Sequence, residues 1–205
     1  MIRPRFTLLL PKRPLACLLL ALVVIPGLAV FLPSGAQEKS PMVVQKVQKQ
    51  GDPLEFLLPT PDGPPLDAEQ LRGKVSLLCF AAYGFPLIRP LLRQMQEVSS
   101  SYPQVTLCLV LTNGTQPRDR DFISDADLKT WREQQHLPYR LARDPRGSLL
   151  FRRLNLSVIP SFVILRKDGT VAGTREGLDP TTSLVEQLRA DLIRAVQADD
   201  SRPPD

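Results

Sequence analysis

Hydrophobic residues along the chain form one long uninterrupted run, residues 15–32, followed from residue 51 by a series of shorter runs. Several of the shorter runs are continuous and four to eight residues long, which is typical of strands covered on both faces. Lys167-Asp168-Gly169 lies between two such runs and indicates a hairpin turn. The pattern predicts strands at residues 54–58, 75–80, 105–111, 139–141, 161–165 and 170–174.

Between these strands, apolar residues recur at helical spacing. Helices are predicted at residues 87–100, 124–135 and 148–154, together with a short turn at residues 68–71 and a last helix opened by Pro180. Ser124 with Asp127 three residues later forms a plausible capping box. The order β-β-α-β-α-β-α-β-β-α predicts an α/β domain with a mixed sheet and helices on both faces.

The first fifty residues differ from this domain. Residues 1–14 contain four basic residues, and residues 15–32 carry no charge and would span about 27 Å as a helix. We expect residues 15–32 to be a transmembrane anchor or the apolar core of a signal peptide, and run length favours the anchor. The basic residues then stay in the cytoplasm, and the domain lies on the extracytoplasmic side, whether periplasmic, lumenal or cell-surface.

Three further segments complete the predicted organisation. Residues 33–50 form a polar linker, residues 51–198 the folded domain, and residues 199–205 a disordered tail. The net charge of +5 comes from the first fifty residues, since residues 51–198 contain 18 basic and 17 acidic side chains. That balance leaves no basic stripe, so we expect no nucleic-acid partner.

Metal and cofactor sites are not expected. His136 is the only histidine, and the three cysteines have no metal-ligand spacing. Four aspartates between residues 119 and 127 lack the glycine and terminal glutamate of a calcium loop. The aspartates at the predicted helix start would instead interact favourably with the helix dipole.

Three segments of residues 51–198 resemble a known family. Residues 71–75 (LRGKV), with the opening residues 51–56 (GDPLEF), resemble the first strands of the membrane-tethered TlpA/ResA group and the entry to its central strand. Residues 154–169 (LNLSVIPSFVILRKDG) closely resemble its segment around a cis-proline, which would be Pro160. The resemblance implies a thioredoxin-like fold with a mixed central sheet flanked by helices.

The chain departs from this family where redox chemistry is carried out. Redox-active members have Trp-Cys-x-x-Cys after the central strand, whereas residues 80–87 are FAAYGFPL. The best register aligns Tyr83 with the tryptophan, Gly84 with the attacking cysteine and Leu87 with the resolving one. Disulfide exchange needs an exposed thiolate and a second thiol within reach, and neither glycine nor leucine supplies one.

Cys79 and Cys108 are the remaining candidates for redox chemistry in the domain. Both lie within predicted buried strands, where free cysteine commonly serves as a small core residue. A disulfide between them requires a Cβ geometry that strand pairing rarely provides. The core role is therefore favoured, and a structural disulfide and a redox role stay open.

The resemblance also implies a groove, in which a loop of Tyr83, Gly84, Phe85, Pro86 and Leu87 faces the segment Ile159, Pro160 and Ser161. In relatives this segment pairs with an extended peptide through its main chain, which requires no cysteine. Three functions are open: a non-covalent protein-binding or assembly module, a TlpA-type thiol–disulfide oxidoreductase with atypical cysteines, and a structural subunit contacting a membrane complex through residues 15–32. Inward packing of Phe85 and Leu87 is the alternative to a groove.

Overall fold

The computed structural model of the chain describes residues 51–200. The predicted cytoplasmic segment 1–14, the apolar segment 15–32, the linker 33–50 and residues 201–205 lie outside the described residues. Within residues 51–200, the helices are too short or too polar to cross a membrane. The strands are β1 (Leu57–Leu58), β2 (Leu66–Asp67), β3 (Ser76–Ala81), β4 (Thr106–Leu111), β5 (Arg140–Arg143), β6 (Ser161–Leu165) and β7 (Val171–Glu176).

Three α-helices and two 3-10 helices complete the domain. They are η1 (Ala68–Leu71), α1 (Ile88–Ser101), α2 (Asp125–Gln134), η2 (Pro145–Gly147) and α3 (Leu184–Asp200). Ser124 caps α2 as predicted, because its hydroxyl accepts a hydrogen bond from the Asp127 N–H at 3.1 Å. The two-residue strand β2 was not predicted, since it is too short to produce an alternating pattern.

The main sheet has five strands in the order β5-β4-β3-β6-β7. β3 pairs in parallel with β4, and β4 in parallel with β5. β6 is antiparallel to both β3 and β7, so the sheet is mixed, as predicted. β1 and β2 form a separate two-stranded antiparallel hairpin.

Two hydrophobic cores lie on opposite faces of this sheet. On one face, which we call the helical face, α1, α2 and α3 pack over alternate residues of the strands, such as Leu77 and Leu109. On the other, the hairpin face, residues 54–71 and the segment after β5 cover Leu78, Phe80 and Val110. β3 is buried on both faces along its whole length, which explains its continuous apolar sequence.

The helix predicted at residues 148–154 does not form, so all three α-helices lie on the helical face. Instead, the buried carboxylate of Asp144 accepts hydrogen bonds from three successive N–H groups, those of residues 149–151, at 2.6–3.0 Å. The chain there follows a series of turns. The N–H groups of Arg152 and Leu156 then bond to carbonyls five residues back and that of Asn155 to one three residues back, so the regular i→i−4 series of an α-helix does not form. The prediction of helices on both faces was therefore wrong for α-helices.

The last helix begins later than predicted. Pro180 lies in a turn, in which the Asp179 carboxylate accepts a hydrogen bond from the Thr181 N–H at 2.8 Å. The helix starts at Leu184, after the Ser183 hydroxyl accepts a hydrogen bond from the Glu186 N–H. α3 also continues to Asp200, two residues into the segment that we predicted to be disordered.

Replacing Asp144 with alanine should destabilise the domain strongly. The change leaves three N–H groups without their acceptor, and we expect the free energy of unfolding to fall by about 3 kcal/mol or more. The control is Asp67→Ala, which removes a carboxylate accepting one N–H at the start of η1 and should cost about 1 kcal/mol. Urea denaturation followed by Trp131 fluorescence measures both, and equal losses would contradict the role assigned to Asp144.

Candidate functional site

The two segments of the predicted groove leave the sheet at the same edge. Phe80 near the end of β3 pairs with Ser161 at the start of antiparallel β6. The loop at residues 82–87 and the segment at residues 157–160 therefore emerge next to each other. We call this side the carboxyl edge, because β3, β4 and β5 all end there.

The loop at residues 82–87 forms a turn before α1 and does not begin the helix itself. The Phe85 N–H donates to the Ala82 carbonyl at 3.1 Å, and Gly84 has a φ of +82°. Such a φ is favourable for glycine and strained for other residues. The helix starts at Ile88, with Leu87 as its N-cap. Gly84, aligned with the attacking cysteine, thus lies four residues before the first helical residue.

Side chains of this loop are largely accessible. Tyr83 and Leu87 are 41% and 51% exposed, and Phe85 is half-buried. The alternative in which Phe85 and Leu87 both pack inward is therefore wrong for Leu87. A single apolar residue on a surface is ordinary, and the significance of Leu87 lies in its neighbours.

Large exposed apolar side chains concentrate at the carboxyl edge. Among the described residues, seven large apolar side chains are exposed, and five of these seven lie in loops that leave this edge. They come from three connections, which follow β3 and β4 and join β5 to β6. The five residues are Tyr83, Leu87, Phe122, Leu149 and Val158.

The segment before β6 is held by hydrogen bonds from β7. The Glu176 carboxylate accepts the N–H groups of Ser157 and Val158, at 2.8 and 2.9 Å, and also the Ser157 hydroxyl. These donors, the Ser157 N–H foremost, lower the pKa of Glu176. The carboxylate therefore remains ionised over a wider pH range, which keeps the Ser157–Val158 contact intact.

Pro160 follows a cis peptide bond, as the family resemblance implies. Its carbonyl accepts a hydrogen bond from the Gly177 N–H at 2.7 Å, and Ser161 is buried, with its hydroxyl bonded to the Val158 carbonyl. Ile159 is different, because its N–H and carbonyl have no hydrogen-bond partner among residues 51–200. A half-buried residue with an unpaired main chain thus lies beside the apolar loop.

Asn113 connects the loop at residues 82–87 to the loop after β4. Its side chain is 1% exposed, accepts the Tyr83 N–H at 2.5 Å and donates to the Tyr83 carbonyl at 3.2 Å. It also donates to the Asp121 carbonyl at 3.0 Å. One buried carboxamide therefore fixes the backbone of Tyr83 as a neighbouring strand would.

Tyr83 also contacts α2. Its ring meets that of Trp131 edge to face, with centroids 5.5 Å apart. Trp131 is the only tryptophan in the chain, so its fluorescence reports on this contact. The buried Arg143 fixes the base of the loop after β4, since its guanidinium donates to the carbonyls of Gly114 and Ile123 and pairs with Asp125.

The two cysteines of the domain cannot bridge each other. They lie on the adjacent strands β3 and β4, where Cys79 pairs with Leu109 and Cys108 with Leu78. This register points Cys79 into the helical-face core and Cys108 into the hairpin-face core. Both are free and fully buried, which excludes a structural disulfide between them in this fold.

Burial also suppresses the reactivity of both thiols. It raises the pKa of Cys108 to about 12, with a partial offset from the positive charge of Arg140. It raises the pKa of Cys79 further. A thiol with such a pKa is almost entirely protonated at neutral pH, and the thiolate is the nucleophile in disulfide exchange.

The aspartates proposed to have a structural role all have protein partners. Asp119 and Asp121 accept the N–H groups of Gln116 and Gly114, while Asp125 pairs with Arg143 and Asp127 bonds to Ser124. His136 is exposed at the end of α2 with a φ of 49°.

Sequence reasoning missed Asn113 and Glu176, two residues that hold the predicted site together. Asn113 lies two residues after the end of the buried strand β4, at the carboxyl edge, and this position was the signal that could have found it. Glu176 gave no comparable signal, because its partners lie 18 and 19 residues away.

Replacing Asn113 with alanine should loosen the loop at residues 82–87. The change leaves the Tyr83 N–H and carbonyl without a partner, and we expect a loss of about 2 kcal/mol in the free energy of unfolding. Trp131 emission should also change in the folded state, because Tyr83 is no longer held against it. The control Gln134→Ala, at an exposed position on α2, should change neither quantity. Unchanged emission in Asn113→Ala would contradict the role assigned to Asn113.

Comparison by structure finds similar proteins with a thioredoxin fold. One is a secreted disulfide oxidoreductase of Mycobacterium tuberculosis homologous to E. coli DsbE, at 21% identity and a TM-score of 0.51, covering 68% of this chain and 95% of that one. Another is a thiol:disulfide interchange protein of the thioredoxin family from Chlorobium tepidum, at 21% identity and 0.52, covering 74% and 97%. A third is the exposed lipoprotein thioredoxin Etrx1 of Streptococcus pneumoniae, at 20% identity and 0.51, covering 67% and 99%.

Comparison with protein-family models and with curated proteins finds no significant match. At these identities, the structural similarity establishes the fold and leaves the activity to be argued from the residues. The mixed central sheet, the helices beside it and the cis-proline before β6 agree with that similarity. The described part of the chain therefore has a thioredoxin-like fold.

Proposed function

We propose that this protein is a membrane-anchored, extracytoplasmic thioredoxin-like domain without dithiol redox activity, and that it binds extended protein segments non-covalently at the carboxyl edge. The observation that carries the proposal is the turn at Gly84. The sequence register aligns Gly84, which lacks a thiol, with the attacking cysteine of redox-active relatives, and its positive φ is unfavourable for cysteine.

Dithiol chemistry has no support from the rest of the domain. Leu87 replaces the resolving cysteine, and Cys79 and Cys108 are buried on opposite faces of the sheet with raised pKa values. An oxidoreductase using these two cysteines would have to open both cores in each turnover. This alternative rests on the similar thiol:disulfide proteins and not on any accessible thiol among residues 51–200.

Binding is supported by unpaired main-chain groups and exposed apolar side chains at the carboxyl edge. Ile159 offers an unpaired N–H and carbonyl, to which an extended segment can add as a strand. Leu87 and Val158, about half exposed, provide apolar contacts on the adjoining loops. Backbone hydrogen bonds would then give affinity, and these side chains would select apolar residues in the partner.

Anchoring and location rest on the segment before the domain. The apolar residues 15–32 with their basic flank favour export or anchoring, and similar proteins are described as secreted or as an exposed lipoprotein. The remaining alternative is a structural subunit that contacts a membrane complex through residues 15–32. In that case the carboxyl edge would have no binding role.

The redox part of the proposal is tested by insulin reduction with the intact chain. We expect no turnover above background, and no change in Cys79→Ser or Cys108→Ser. At pH 8 both thiols should react with a thiol reagent only after denaturation, because the folded domain keeps them buried and protonated. Mass spectrometry of labelled peptides separates them from Cys17. Turnover that either substitution abolishes would overturn the proposal.

The binding part is tested with reduced, carboxymethylated α-lactalbumin, an unfolded protein whose thiols are blocked. We expect the intact chain to bind this protein in a fluorescence anisotropy titration. Leu87→Ser and Val158→Ser should each weaken binding about fivefold, since each removes a partly exposed apolar contact.

Ile193→Ser is the matched control, because Ile193 is an exposed apolar residue on α3, away from the carboxyl edge. It should leave the affinity unchanged. Equal losses in all three variants, or no binding, would contradict a site at the carboxyl edge. Binding by a fragment that contains only residues 1–50 would instead favour the role of residues 15–32.

A further inference from the structure

A concave site lies between α1 and the connection from α2 to β5. It is a cleft of about 340 Å³ whose floor includes the buried side chains of Leu92 and Leu137. The cleft shares no residue with the loop at residues 82–87 or the segment at residues 157–161. Its volume falls in the range of sites for small molecules.

One wall of the cleft is a face of α1 that carries basic and amide side chains. Arg89, Arg93 and Gln96 line it, at positions separated by one or two helical turns. Residues four apart on a helix are neighbours, with Cβ atoms about 6 Å apart. Arg89 and Arg93 can therefore direct both guanidinium groups toward one ligand group.

Neither of these arginines is neutralised within the described domain. No carboxylate among residues 51–200 lies within ion-pair distance of Arg89 or Arg93, although Glu97 follows Arg93 by one turn. Arg132 and Arg143, in contrast, each pair with an aspartate. The two arginines thus present unused hydrogen-bond donors and uncompensated charge at a cleft.

The opposite wall is fixed by the backbone at the end of α2. Gln135 and His136 line it, and their N–H groups donate to carbonyls of the last helical turn at 2.9 and 3.1 Å. The Leu137 N–H donates to the Arg132 carbonyl at 3.2 Å. These bonds fix the backbone that carries the imidazole and the carboxamide on the side of the cleft opposite α1.

We propose that this cleft binds a small organic anion, in which a carboxylate or phosphate group is attached to a compact apolar body. Arg89 and Arg93 would hold the oxyanion, since guanidinium groups match the geometry of carboxylate and phosphate oxygens. The apolar body would lie on Leu92 and Leu137. A polar ion alone would leave this floor uncovered and should bind more weakly.

The probes are phenyl phosphate and benzoate. Inorganic phosphate represents the anionic half of the ligand alone, and benzyl alcohol represents the apolar half alone. Calorimetry on the intact chain in detergent measures affinity, and the imidazole resonances of His136, the only histidine, report the location. We expect phenyl phosphate or benzoate to bind and to shift these resonances. Inorganic phosphate and benzyl alcohol should each bind about fivefold more weakly or worse.

The variant Arg89→Gln/Arg93→Gln should weaken binding about tenfold or more, because it removes both charged donors. Arg152→Gln/Arg189→Gln is the charge-matched control, since both arginines are exposed and their side chains have no partner among the described residues. It should leave the affinity unchanged. Equal weakening in the two variants, binding without a shift of the His136 resonances, or no binding by any probe would overturn the proposal.

Discussion

The pairing of the central strand β3 determines most of what this domain can do. β3 is parallel to β4 and antiparallel to β6, and it is buried on both faces. The parallel register sends Cys79 and Cys108 into different cores, because residues on neighbouring strands that are one position out of step point to opposite faces. The antiparallel register brings the end of β3 beside the start of β6. The same strand thus separates the thiols and assembles the two segments of the candidate groove.

The two segments of the candidate groove are held in place by side chains of other loops and strands, and neither segment contains a cysteine. Asn113 holds Tyr83 from one side and Glu176 holds Ser157 and Val158 from the other. Both use side chains to bind backbone groups, so the loops are positioned independently of any disulfide. A site of this kind suits non-covalent recognition, in which a pre-ordered backbone lowers the entropic cost of pairing with an extended segment.

Sequence patterns predicted the elements that depend on burial. The continuous apolar runs of β3 and β4, the capping residue Ser124 and the hairpin between β6 and β7 were all predicted close to their observed positions. The patterns failed where the apolar spacing is helical but the backbone bonding is irregular. At residues 148–156 the N–H groups bond to carbonyls three, four or five residues back, so turns form where a helix was predicted. For the site, Pro160 was predicted by resemblance, whereas the contacts of Asn113 and Glu176 join residues too distant in the chain for periodicity to connect.

The most direct test of the account is photo-crosslinking in a chain whose three cysteines are replaced by alanine. Benzoylphenylalanine is placed at Val158, or at Ile193 as the exposed apolar control, and illuminated with carboxymethylated α-lactalbumin. The account predicts crosslinking at position 158 well above that at position 193, since recognition at the carboxyl edge requires no thiol. Equal crosslinking at the two positions, or crosslinking at position 158 only when the native cysteines are present, would contradict it.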